Sequence, residues 1–525
     1  MKICRCVHAL PLAALAITVL ASGYANARAD EELTARIDAI VNQPEYTHSR
    51  WGILVVDAKS GQTVFARNPD MLCAPASVTK LYTCAAALVA FGPDHRFTTP
   101  VYRRGEIKDG VLAGDLILVA QGDLTFGGRA DGKGGLTFKD HDHTYANWLA
   151  TGAELTAGDP LAGLQALARQ IHEAGVKRVD GDVLVDDRLF PAAKGSGSGP
   201  DVLSPIVVND NVVDVTITPA ADAGRPAAIA LRPATDYVQV DARVETVAAG
   251  TSVSVTSERV APFRYVVRGR VPAGGKPVIR ICPVDEPAGF ARALFIDCLR
   301  REGVAVSASA FRPPAAELPA RDSYDRLTRV AAFESPPLSE LLKVTLKVSH
   351  NLYASTLPLL LAVKEGKHSV ADGMRKEQKI LADLGVETAP ISLETGAGGG
   401  NGDRVTARST VELLRAMAAR PDFAAYEAAL PVLGVDGTLV DAVRDDSPAR
   451  GKVRAKTGTY ADADLIHGRL LLRSKSIAGY LTTEHGRSLV FAVFLNDLPL
   501  RPGARPDREG KTLARMCEIL YRHGP

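Results

Sequence analysis

The sequence predicts a fold of the α/β (α+β) class, an antiparallel sheet covered by helices and interrupted by a large, mainly-β inserted region of one or two domains. Three observations predict it. Near the N-terminus two apolar runs joined by a Gly-containing turn lead straight into a long apolar helix. Near the C-terminus, alternating apolar runs precede one last helix. Between them, from about 96 to about 327, short alternating strands and Gly/Asp turns replace the helical pattern.

With 525 residues, 46% hydrophobic and 23% charged, the chain has material for two or three domains. A net charge of +2 gives no reason to expect nucleic acid or an acidic membrane surface as partner. Residues 1–27 read as a secretory signal: Lys2 and Arg5 precede the apolar run 9–20, and Ala25, Asn26 and Ala27 offer a cleavage site. The apolar run is shorter than the roughly 20 residues of a spanning helix, and no Cys marks a lipoprotein processing site. A soluble exported protein, cleaved near Ala27, is the expectation.

In chain order, a helix over 31–42 precedes strands at 51–57 and 63–66, with the turn at 58–62 between them. The helix beginning near Ala74 stops at Gly92-Pro93. Inside the insertion, strands are predicted at 115–120, 181–186, 211–218 and 264–270. Two amphipathic helices end alike, at Glu173-Ala174-Gly175-Val176 and Arg301-Glu302-Gly303-Val304, each before a strand. After the insertion, Pro337 opens a helix over 338–347, with Leu338, Leu341, Leu342 and Thr345 on one face. A second helix over 352–363 leaves Ser349-His350-Asn351 on a tight link. Strands follow at 453–459, 466–472, 476–481 and 487–495, then a helix over 510–522. Segments 30–95 and 328–525 are thus expected to form one domain and 96–327 the insertion.

Seven cysteines are present, and Cys4 and Cys6 fall in the signal. Cys282 and Cys298 lie in one strand-helix unit and are the candidate disulfide of an oxidising compartment. Cys73 and Cys84 read as small buried apolar groups. The run Lys139-Asp140-His141-Asp142-His143-Thr144 holds metal-ligand residue types, but a polar surface loop is the preferred reading, and no metal is assigned. Asn209-Asp210-Asn211 is explained by turn chemistry.

The chemistry resides in three short motifs in fixed order: Ser77-Val78-Thr79-Lys80, Ser349-His350-Asn351 and Lys456-Thr457-Gly458. Residues three apart share one helix face, about 5–6 Å apart at Cβ, close enough for the Lys80 amine to take the Ser77 proton. Burial and a nearby Lys456 would both disfavour the charged form of Lys80. Each motif alone is common; Ser349 could be a plain helix cap. The ordered triple is the set found in class A β-lactamases and penicillin-binding proteins.

With these motifs, and with the phrases at 114–123, 185–190, 335–340, 433–439 and 454–459, the chain resembles the class C low-molecular-mass penicillin-binding proteins, the D-alanyl-D-alanine carboxypeptidase/endopeptidase family. The resemblance implies a penicillin-binding/β-lactamase-like transpeptidase domain, a periplasmic serine enzyme without a cofactor, and peptidoglycan stem peptides and β-lactams as partners. Ser77 would be acylated, Lys80 would act as base, Ser349 would relay a proton, and Asn351 would position Lys80 and the substrate's amide. Lys456, Thr457 and Thr459 would hold the substrate carboxylate, Gly458 would leave room for the acyl donor, and the Ser77 and Thr459 N–H groups would form the oxyanion hole. Three departures stand out: His350 where the family has Asp, Leu393 to Gly398 where it shows Asp-Gly-Ser-Gly, and a long link over 461–475. At His350 altered packing or acid sensitivity is expected. A serine β-lactamase and a non-catalytic cell-wall-binding protein are the alternatives, and homodimerisation is left open.

Overall fold

The computed structural model describes residues 31–524; the signal-peptide reading of 1–27 lies outside the described residues. One five-stranded antiparallel sheet joins the two ends of the chain, in the order Val453–Asp464, Arg469–Thr482, Ser488–Pro499, Arg50–Asp57, Thr63–Arg67. Ser488–Pro499 lies at its centre. It is apolar at every position from Leu489 to Leu495 because both of its faces are covered. Val490, Ala492 and Phe494 enter the core built on helices Thr79–Phe91, Leu338–Lys347, Asn351–Lys364 and Ala407–Ala418. Leu489, Phe491, Val493 and Leu495 enter the core on the other face, where the 31–41 helix and Asp507–His523 pack. The expected sheet covered by helices is therefore present, with helices on both faces.

The two C-terminal strands predicted at 466–472 and 476–481 are one strand, Arg469–Thr482, paired along its length with Val453–Asp464 across a bulge between Tyr460 and Ala461. The long link is thus a hairpin arm that projects beyond the sheet, with Leu465 and Ile466 exposed at its tip. A bulge absorbs the one-residue mismatch that made the strand look broken in sequence.

Residues 98–334 carry a second core. Its largest sheet runs Ala305–Val306, Arg178–Val179, Val111–Val119, Thr98–Lys108, Thr328–Glu334, with Val183–Asp186 also on Val111–Val119. Thr328–Glu334, which the sequence attached to the following segment, hydrogen-bonds to Thr98–Lys108. Two three-stranded sheets and the two-stranded pair Ala193–Lys194 with Val202–Leu203 complete the mainly-β region. The repeated helix endings are real counterparts: Gly175 (φ +88°) and Gly303 (φ +85°) cap Ala162–Glu173 and Pro287–Arg301, and the strands that follow pair in parallel.

The expected Cys282–Cys298 disulfide is absent; both thiols are free and buried. Cys282, on Val278–Pro283, points to Ser257 Oγ at 3.6 Å, while Cys298 is buried within its helix, so each fills core space as a small apolar group.

Candidate active site

Ser77 and Lys80 meet because Ala76–Val78 form a single 3-10 turn that continues into Thr79–Phe91. That helix crosses the middle of the first core, and Lys80 goes with it into full burial. The Lys80 Nζ has three oxygen neighbours: Ser77 Oγ at 2.9 Å, Asn351 Oδ1 at 2.8 Å and the Ala397 carbonyl at 2.8 Å. Carbonyl oxygens only accept, so in a neutral amine they take the two N–H groups, and the lone pair is left facing the Ser77 hydroxyl. Burial pulls the Lys80 ammonium down to about 7, against weaker support from Cys84 and Asp403. The share expected for Lys456 appears on Lys456 itself, driven well below the usual lysine range first by burial and then by repulsion from Lys80 and Lys475.

Asn351 is held the right way round. Its Nδ2 donates to Ser198 Oγ at 3.0 Å and to Tyr145 Oη at 3.3 Å, while Tyr145 donates its own proton to the Ser349 carbonyl at 2.6 Å. Ser349 is buried and takes a left-handed conformation, φ +62°, because Leu338–Lys347 and Asn351–Lys364 are joined by so few residues. Both partner groups, Tyr145 and Ser198, come from the mainly-β region, and nothing in their local sequence marks them.

The third motif lies on the edge strand Val453–Asp464. A Cβ on Gly458 would stand 2.6 Å from the Pro75 carbonyl and closer still to Ser476 Oγ. The glycine is therefore required first by the packing of the Ser77 turn onto the strand, a constraint nearer home than room for an acyl donor. Thr457 Oγ1 donates to Thr438 Oγ1 at 2.8 Å, Thr459 Oγ1 accepts from Lys475 Nζ at 2.8 Å, and the Lys456 ammonium donates to the Thr457 carbonyl at 2.7 Å. Of the residues singled out in sequence, Ser77, Lys80 and Asn351 are in direct contact. Ser349 joins them through Tyr145, and Lys456 through its charge.

A profile of the D-Ala-D-Ala carboxypeptidase 3 (S13) family matches residues 33–515. The chain belongs to this family. Among its relatives, the D-alanyl-D-alanine carboxypeptidase of Actinomadura sp. (strain R39) is 31% identical over 487 residues, 87% of this chain and 82% of that protein. The D-alanyl-D-alanine carboxypeptidase DacB of Haemophilus influenzae is 24% identical over 474 residues, 85% of each. The crystal structure of H. influenzae penicillin-binding protein 4 superposes with a TM-score of 0.64 at 21% identity, covering 91% of this chain and 97% of that one. The fold is thus that of the penicillin-binding serine peptidases, and the S13 family is one of serine D-Ala-D-Ala carboxypeptidases.

Two parts of this candidate site escaped the sequence reading. The departure over 393–398 supplies the third acceptor for Lys80: Asp403 accepts from the N–H groups of Glu394 (2.7 Å) and Gly400 (2.9 Å), closing the loop that presents the Ala397 carbonyl. Burial pushes the Asp403 carboxyl up to about 6. The second part corrects the surface-loop reading of 139–144 in its second half: His141 is exposed, but Asp142 and His143 are buried in an ion cluster. Arg129 donates to Asp142 at 2.8 Å and to Asp210 at 2.6 Å. His143 bonds Asp214 through Nδ1 at 2.6 Å and Asp210 through Nε2 at 2.8 Å. Burial opposes charge on His143, but these carboxylates outweigh it and raise the imidazole to about 10. Asp210, read as turn chemistry, also accepts from the Tyr353 hydroxyl.

His350 completes the link to the Ser349 corner. Its ring is fully buried and stacked on Tyr353 at 3.7 Å, and Nδ1 accepts from the Tyr353 N–H, capping Asn351–Lys364. The Nε2 lies 3.6 Å from Asp210 and has no hydrogen-bond partner, and burial holds the imidazole below its usual range. At this departure the imidazole is a core ring and a helix cap. The cluster residues are scattered over four segments, and only Asp142-His143 was visible as a group.

Proposed function

We propose that this chain is a periplasmic serine peptidase that removes terminal D-alanine from peptidoglycan stem peptides and cuts D-alanyl cross-links by the same acyl-enzyme route. Ser77 Oγ attacks the carbonyl carbon of the penultimate D-alanine as neutral Lys80 takes the hydroxyl proton. The peptide C–N bond breaks while Ser349 passes a proton to the departing amine, and water then hydrolyses the ester and restores Ser77. Asn351 holds the Lys80 amine in line. Lys456, Thr457 and Thr459 hold the substrate's carboxylate, and the N–H groups of Ser77 and Thr459 take the oxyanion, each donor contributing about 3 kcal/mol. A β-lactam enters the same steps and stalls at the ester.

One observation carries this reading: the Lys80 amine lies between two carbonyl oxygens with its remaining position 2.9 Å from Ser77 Oγ. The names of the relatives support the substrate class. The β-lactamase alternative lacks support, since the buried acids near Lys80 are otherwise engaged: Glu377 faces Thr83 and Asp403 holds its own loop. Segment 96–327 is read as an inserted unit whose Tyr145 and Ser198 wall the site. The test is to label the purified protein with a fluorescent penicillin, map the adduct by peptide mass, and assay D-alanine release. A label on Ser77 that vanishes, together with release, in Ser77→Ala is expected; release persisting in that variant refutes the mechanism.

A further inference from the structure

The Val453–Asp464 edge strand is flanked by two lysine side chains, Lys456 and Lys475, that form no ion pair with a carboxylate among the described residues. Lys456 donates to a backbone carbonyl on one face, and Lys475, opposite Thr459 in register, donates to Thr459 Oγ1 at 2.8 Å. The terminal helix Asp507–His523 packs closely on Lys475: a Cβ on Gly510 in its first turn would stand 3.1 Å from Lys475 Cε, a tight contact that the glycine relieves. Burial lowers the Lys475 ammonium from the usual lysine range, and Asp507 and Glu509 of the same turn oppose that through space.

The hydrogen-bond direction is decisive. An ammonium can only donate, so the Thr459 hydroxyl must accept from Lys475, and its single proton is directed away, available to an incoming acceptor. We propose that Lys475 is a positioning residue for specificity: it orients the Thr459 hydroxyl as a donor and adds positive charge so that the site selects peptides ending in a free carboxylate. The inference rests on the peptidase reading above and adds to it a residue outside the three motifs. A substrate carboxylate at the strand edge supplies the directly bonded anion that neither Lys456 nor Lys475 has. Without Lys475, Thr459 can turn its proton elsewhere, and the site loses both a cation and an oriented donor.

The test compares a stem-peptide analogue ending in D-Ala-D-Ala carboxylate with the same peptide ending in the carboxamide, using the full mature chain. Lys475→Met is expected to lower kcat/KM for the acid about 10- to 100-fold, mainly through KM, the size of one charge-assisted hydrogen bond. The loss on the acid should exceed that on the amide at least about tenfold. Thr459→Val should give a similar preferential loss, the double variant should add little to it, and Lys475→Arg should recover part of it. Equal losses on acid and amide, or none, overturn the proposal, and so does full additivity of the two substitutions. Penicillin labelling of Ser77 is followed in parallel: labelling with unchanged acid preference in Lys475→Met sinks this proposal alone, whereas an unmodified wild-type Ser77 sinks the peptidase reading beneath it.

Discussion

Titrating the acylation of Ser77 tests the placement of Lys80. An ordinary lysine at pH 7 is neutral in only about one molecule in a few thousand. With the ammonium pulled to about 7, about half the molecules carry the free base at that pH, so burial multiplies the competent population by about a thousand. The measurement is the second-order rate constant for acylation by a fluorescent penicillin, by stopped flow from pH 5 to pH 10 at constant ionic strength. The logarithm of the rate is expected to climb with unit slope to a bend near pH 7 and then level off. The negative charge of Asp403 supports the ammonium, so Asp403→Asn should move the bend to lower pH. A rate that keeps rising beyond pH 9, or that is flat throughout, refutes the assignment of Lys80 as a buried, neutral base.

Four further outcomes follow from the geometry. Gly458→Ala forces its methyl into the Pro75 carbonyl and Ser476; a loss of a few kcal/mol by urea denaturation and loss of penicillin labelling are expected, and Ser476→Ala should not rescue because the backbone clash remains. Arg129→Met leaves the buried Asp142 and Asp210 without the guanidinium that bonds both, with His143 as the remaining cation, and should cost about 3–5 kcal/mol in the same assay. Glu377 is buried against Thr83, and burial raises its carboxyl to about 8, so the fold favours the protonated form and stability declines as pH rises from 4.5 to 8; Glu377→Gln should leave Tm unchanged at pH 4.5 and raise it at pH 8. His350 is held neutral below its usual range, so the unfolded chain binds the extra proton and stability falls as pH drops below 6.5; His350→Phe should flatten that fall, read by denaturant midpoints between pH 5 and 7.

The central sheet and its helices were legible because their cause is local. The continuously buried runs of Arg50–Asp57 and Ser488–Pro499 are written residue by residue. The bulged hairpin arm was misread as two strands and a loop, since a bulge breaks alternation without ending the pairing. The disulfide expectation failed for a related reason: proximity along the chain does not bring two side chains to one face of a strand-helix packing. Asp142 and His143 were visible as a cluster, yet their burial depends on Arg129, Asp210 and Asp214, which sequence spacing does not connect to them.

By itself the sequence determined the order Ser77-x-x-Lys80, Ser349-x-Asn351, Lys456-Thr457-Gly458, and with it the family, because a helical turn and a strand end fix the geometry of each motif from within. Only the tertiary structure decided what surrounds them: which carbonyl faces the Lys80 amine, which tyrosine holds Ser349, and which second lysine stands over Thr459. Those partners come from distant segments, and the burial that makes a lysine neutral is a property of the packed core, set by residues that never touch it in sequence.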